Sequence, residues 1–134
     1  MSDIQKISEF IDKASIYFIS TEDGDQPKCR PMRSHFVIGD RLCFGTGRFK
    51  DVFKQMQENP KVEIVALDGG KWLRYWGTAV FEETYDIANA VLEKMPQAKQ
   101  IYTMEGDMIL EIFHLENAHV EIRNMAGVIE ELGA

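Results

Sequence analysis

The sequence predicts a mainly β protein with peripheral helices (α+β), its antiparallel sheet curled into a barrel. Three observations carry this. Apolar residues recur at helical spacing in only three short stretches, while most of the remainder is β-branched and aromatic material in strand-length runs. Tight-turn signals at Gly39-Asp40 and Asp68-Gly69-Gly70 join neighbouring strand-like runs. The resulting order, β-β-β-α-β-β-α-β-β with short hairpins, suits an antiparallel sheet closed on itself with helices outside.

The N-terminal stretch comes first. Ser2 or Asp3 can cap a short amphipathic helix whose Ile4, Ile7, Phe10 and Ile11 share one face. Ile16 to Ser20 then reads as a strand, and Thr21 to Pro27 as a polar turn. Lys28 to Ile38 reads as the second strand, with Pro31 marking an edge position or a bulge because it lacks an N–H. Arg41 to Thr46 is the third strand. Lys50 to Glu58 puts Val52, Phe53 and Met56 on one helical face, and Asn59-Pro60 stops that helix. Lys61 to Leu67 and Lys71 to Glu82 form a hairpin. A further helix, about Asp86 to Ile101, carries Ile87, Val91, Leu92 and Met95 inward and kinks at Pro96. Met108 to Leu115 and Ala118 to Met125 are either two strands or one long bent strand, and the tail from Ala126 to Ala134 is a short acidic stretch.

Length and composition bound the function. The 134 residues make one domain, 1–134, with no repeat or linker to divide them. Fifteen Lys+Arg against 22 Asp+Glu give a net charge of −7, which opposes approach to nucleic acid or an anionic membrane, so an anionic ligand must be held by a local cluster of cations. No apolar run reaches the roughly 20 residues of a membrane span, and the charged N-terminus is unlike a signal peptide. A cytoplasmic protein is expected. Cys29 and Cys43 are too few for a disulfide framework and lie in no metal-type pair; both are expected as small core or sheet residues, since free Cys is usually buried.

Three segments could carry chemistry. In Phe44-Gly-Thr-Gly-Arg-Phe-Lys50 a strand passes through a glycine turn into a helix N-terminus, where free N–H groups and the helix dipole favour an anion. Thr46 offers a hydroxyl, Gly47 close backbone approach, and Arg48 and Lys50 charge; the same residues also read as a solvated turn. It is neither a P-loop nor a dinucleotide fingerprint. In Lys28-Cys-Arg-Pro-Met-Arg33, alternation sets Arg30, Met32, Ser34 and Phe36 on one face, so a partly buried guanidinium needs an acceptor from the protein or from a ligand. In Lys71-Trp-Leu-Arg-Tyr-Trp-Gly77, the Leu73, Tyr75, Ala79 side suits the barrel interior, and the Trp72, Arg74, Trp76 side suits core packing, a second subunit or a flat aromatic ligand.

Other residues offer less. His114 and His119 are five positions apart and face opposite ways on a regular strand, so no metal site is expected; His35 reads as a hydrogen-bonded structural residue. No nucleophile signature is present, and Glu82-Glu83 reads as a solvated strand end.

Taken together, Arg30-Pro31-Met32, the "F-x-T…K" turn, Asn59-Pro60-Lys61-Val62 and Lys71-Trp-Leu-Arg74 followed by Gly77-Thr-Ala-Val resemble the pyridoxamine 5'-phosphate oxidase-like FMN-binding split β-barrels, and more closely their short bacterial flavoprotein and nitroimidazole-resistance-type branch. The resemblance covers almost the whole chain. It implies a homodimeric antiparallel split β-barrel with FMN at the subunit interface. The phosphate would lie at Thr46, Gly47, Arg48 and Lys50, the ring edge at Arg30, Pro31 and Met32, and Trp72 and Arg74 would come from the partner subunit. The C-terminal segment specific to the true oxidases, with its Trp and its Arg-His pair, has no counterpart, which speaks against pyridoxamine-phosphate oxidation itself.

The expectation is therefore an FMN-dependent oxidoreductase acting between a small-molecule or protein electron donor and a small acceptor, with no particular catalytic side chain assigned because the cofactor carries the electrons. The alternative is a non-catalytic protein that holds flavin, deazaflavin or haem on the same barrel for storage or sensing, with His35, His114 or His119 as candidate haem ligands.

Overall fold

The computed structural model describes residues 1–133. Helix α1 (Asp3–Ala14) is started by Ser2, whose hydroxyl accepts from the Gln5 N–H while the Gln5 side chain accepts from the Ser2 N–H. This reciprocal pair satisfies two donors that a helix start otherwise leaves free. Its apolar stripe buries Ile7 and Ile11 against the sheet. The strands follow: β1 (Tyr17–Asp23), β2 (Gln26–Met32), β3 (His35–Ile38) and β4 (Arg41–Gly47), then α2 (Asp51–Glu58), β5 (Lys61–Asp68), β6 (Lys71–Phe81), α3 (Asp86–Lys94), a 3₁₀ turn (Pro96–Gln100), β7 (Leu110–Asn124) and β8 (Gly127–Leu132).

All strand pairs are antiparallel, in the order β2-β1-β5-β6-β7-β4-β3, with β8 added to β7. The two ends of that order, β2 and β3, are joined by only Arg33 and Ser34. A link this short spans at most about 11 Å, so the sheet has to curl to bring the end of β2 beside the start of β3. The buried Tyr17 hydroxyl donates to the Ser34 carbonyl at 2.7 Å, tying the link to β1.

Several expectations are corrected here. The stretch from Lys28 to Ile38 is two strands, because its halves pair with different neighbours, β1 and β4. The first hairpin is tighter than its polar composition suggests: Thr21, Glu22 and Asp23 stay in the β1 ladder, and Gly24, at φ +64°, turns the chain in a conformation a Cβ would resist. The helix after Glu82 ends at Lys94, since Pro96 starts a 3₁₀ turn instead of a kink. The acidic stretch supplies a strand beyond those the sequence predicts: Gly127–Leu132 pairs with β7, and the Gly133 N–H donates to the Asp3 carboxylate at 2.8 Å. Cys29 is exposed on the edge strand β2, unlike Cys43, which is buried. Pro31 does sit on that edge, and β7 is one long strand.

The inner face of the barrel collects Tyr17, Ile19, Leu42, Phe44, Ile64, Leu73, Tyr75, Phe113 and Val120 around α1 and α2. Burying side chains of this size stabilises the fold by about 1.5–3 kcal/mol each before entropy is counted. A second cluster packs α3 on the outside, with Ala88, Val91 and Leu92 against Cys43, Leu110 and Ile112. Burial and the nearby Glu82 push the Cys43 thiol up to about 11, so it stays protonated.

Candidate functional site

A cavity of about 670 Å³ opens beside the barrel where β2, the Arg33-Ser34 link and the start of α2 converge. That volume lies within the roughly 300–1,000 Å³ typical of small-molecule sites. Arg30, Pro31, Met32 and Lys50, four of the residues singled out from sequence, line it together, as do Lys28 and Arg33. Lys50 is the N-cap residue of α2, in extended conformation, and no side chain caps that helix. The first amide hydrogens of α2 are therefore available to a ligand, beside the Lys50 ammonium.

The electrostatics of the cavity differ from those of the rest of the surface. Arg41, Arg48, Arg74 and Arg123 each pair with a glutamate, whereas among the described residues neither Arg30 nor Arg33 forms an ion pair, and nor do Lys28 and Lys50. Two carboxylates, Asp23 and Asp51, also line the cavity against these four cations. Arg30 is held instead by the Thr21 hydroxyl at 2.7 Å and the Gln55 amide oxygen at 2.8 Å, and its pKa is lowered by burial, with Cys29 and Asp51 acting in the opposite direction. A cation kept in place by neutral oxygens retains its charge for an incoming anion.

The structure does not bring every singled-out residue to this cavity. Thr46 is wholly buried on the same strand face as Leu42 and Phe44, and its Oγ1 has no partner. Gly47 is also buried; a Cβ there would stand 2.5 Å from the Phe49 ring, so a larger residue would have to push that ring aside. Arg48 turns away to bond Glu111 at 2.8 and 3.1 Å and the Tyr85 hydroxyl. Trp72 and Arg74 lie on the half-buried outer face of β6, opposite Leu73 and Tyr75. Arg74 makes a two-pronged pair with Glu63 at 2.6 and 3.1 Å, and its guanidinium lies 5.3 Å from the Trp76 ring centre. These two residues do not line the cavity.

Gln55, Ser34 and Tyr102 line it without having been singled out. Gln55 had a signal, since it follows Val52 by one helical turn on a helix whose inward residues were legible. Tyr102 had none: it arrives from the loop beyond the Pro96 turn, and only tertiary packing places it there. The histidines are otherwise engaged. His35 meets Asp12 at 2.8 Å, His114 meets Glu116 at 2.9 Å, and His119 stacks on Trp76.

The chain is thus an eight-stranded, wholly antiparallel sheet with a cation-lined cavity at the start of α2. A family model described as pyridoxamine 5'-phosphate oxidase matches residues 4–121, and the chain belongs to that family. Among solved structures it is similar to a NimC/NimA family protein from Clostridium acetobutylicum, at 26% identity and a TM-score of 0.85 over 98% of this chain and 94% of the other. It is also similar in fold to a pyridoxamine 5'-phosphate oxidase-related, FMN binding protein from Nostoc punctiforme, at 13% identity and a TM-score of 0.67 over 92% and 84% of the two chains. The HupZ protein of Group A Streptococcus shares the fold at 21% identity and a TM-score of 0.65, over 96% and 98%. No curated protein matches the sequence.

Proposed function

We propose that this protein is an FMN-binding oxidoreductase of the family, working as a homodimer on small molecules in the cytoplasm. The observation that carries the reading is the cavity in which unpaired cations gather on a chain whose net charge is −7. Its donor set suits the cofactor. A phosphate dianion needs ammonium or guanidinium groups and free amide hydrogens, and Lys50, Lys28 and the start of α2 offer them. A polar ring edge needs directional donors beside apolar surface, which Arg30 with Pro31 and Met32 supplies.

When bound, FMN would supply the electron-transfer chemistry. The chain's own part is binding and orientation. Lys50 would hold the phosphate, and Arg30, fixed by Thr21 and Gln55, would keep positive charge against the flavin where negative charge grows on reduction. Thr46, Gly47 and Arg48 would act one step back, Gly47 by permitting the tight turn and Arg48 by anchoring that turn to β7 through Glu111. Trp72 and Arg74, on a face that is neither fully wet nor fully covered, would complete the site of a second subunit.

The test is direct. The purified protein is expected to be yellow, to bleach on reduction, and to release a ligand with the mass of FMN. A colourless preparation that fails to take up added FMN would defeat the proposal.

A further inference from the structure

Arg30 makes four contacts, and all are to uncharged oxygens. Its guanidinium donates to the Thr21 hydroxyl at 2.7 Å, the Gln55 Oε1 at 2.8 Å, and the carbonyls of Ile19 and Lys28 at 3.3 Å each. The Thr21 hydroxyl in turn donates to the same Gln55 Oε1 at 2.6 Å, so the three side chains close a ring of hydrogen bonds. A guanidinium is a donor only, so the amide must turn its oxygen toward it, and the orientation of Gln55 follows from chemistry.

The choice of an amide is informative. Glutamate has nearly the same shape and would grip Arg30 more strongly as a charge-assisted pair. Elsewhere this molecule does use glutamate: Glu63 holds Arg74, Glu111 holds Arg48 and Glu121 holds Arg123. Only a neutral acceptor fixes a guanidinium without cancelling its field. We propose that Gln55 is a positioning and specificity-determining residue, which holds Arg30 rigid with the help of Thr21 while leaving its charge free, so that the cavity selects an anionic ligand. The inference rests on the reading of this cavity as an FMN site, which sets the choice of probe.

Two measurements on the full chain test it, using Q55E and the wild type. In ligand-free protein at pH 7, Q55E is expected to melt higher than wild type, because the new carboxylate would touch a guanidinium that makes no ion pair, Asp51 acting on it only from beyond ion-pair reach. That gain is present above the ordinary glutamate pKa of about 4.3 and is lost as pH falls through the depressed folded-state value. In a titration followed by flavin fluorescence, the same variant is expected to lose at least tenfold in FMN affinity. A merely structural glutamine predicts no such opposition between tighter folding and weaker binding. An unchanged melting point or wild-type FMN affinity in Q55E overturns the proposal. If Q55E does not fold, T21V decides in its place: loss of FMN affinity supports the ring of hydrogen bonds, and wild-type affinity overturns it. Failure of the wild type to bind FMN sinks the flavin reading alone; inorganic phosphate then replaces FMN as the probe against the same variants, with the same two outcomes.

Discussion

Lys50 and Arg48 are two residues apart on one turn, yet their side chains serve different ends. Lys50 lines the cavity and makes no ion pair among the described residues; its ammonium lies over the Phe49 ring, 5.9 Å from the centroid. Arg48 is tied to Glu111, a carboxylate that is 5% exposed. Lys50→Ala is expected to weaken FMN binding by about 1–3 kcal/mol, the range for a lost charged contact, with little change in melting temperature. Arg48→Met should do the reverse, leaving Glu111 buried and unpaired and costing about 1–3 kcal/mol of stability while altering affinity less. Isothermal titration and thermal melting of both variants check this, and equal affinity losses would erase the distinction. Sequence alone grouped the two as phosphate anchors, because spacing on a turn shows which residues are near each other but not which way each side chain goes.

At the scale of elements, β7 shows what a local pattern can and cannot report. Thirteen of its fifteen residues read as strand material on either side of Glu116-Asn117, and the chain passes through that point with Asn117 at φ 51°. Opposite lies Gly77, where the β6–β7 register shifts. A Cβ on Gly77 would meet the Glu116 carbonyl oxygen at 2.8 Å and the Ala118 Cα at 3.0 Å, both backbone atoms of the strand beside it. Gly77→Ala is therefore expected to cost about 1–3 kcal/mol, the range for overpacking, read as a lowered midpoint in urea; an unchanged midpoint would show that the two strands part easily there. The helices were legible because Ile7 and Ile11, or Val52 and Met56, repeat at helical spacing. β8 was not, since Val128 and Ile129 stay exposed, glutamates follow them, and of its residues Leu132 alone is buried in the core.

For the molecule as a whole, the short link between β2 and β3 decides the architecture, and the cavity is its by-product, walled by that link and floored by α2. The outer face of β6 places Trp72 and Arg74 outside that cavity, which is the arrangement expected if a second copy completes it. Light scattering should then give twice the 15.4 kDa of one chain, and Trp72→Ala should weaken dimerisation and FMN binding together. A monomer that binds FMN at full strength would remove Trp72 and Arg74 from the site.

The sequence by itself determined the class of fold, the three helices, the hairpin turns at Gly39-Asp40 and Asp68-Gly69-Gly70, and the grouping of Arg30, Pro31, Met32 and Lys50, because periodicity, turn chemistry and residue type act over a few neighbouring positions. Only the tertiary structure decided that Thr46 and Arg48 turn away, that Gln55 and Tyr102 join, and that the chain breaks at Arg33-Ser34. Each of these depends on which distant strand lies alongside and which buried charge must be answered, and those conditions exist only once the sheet has curled.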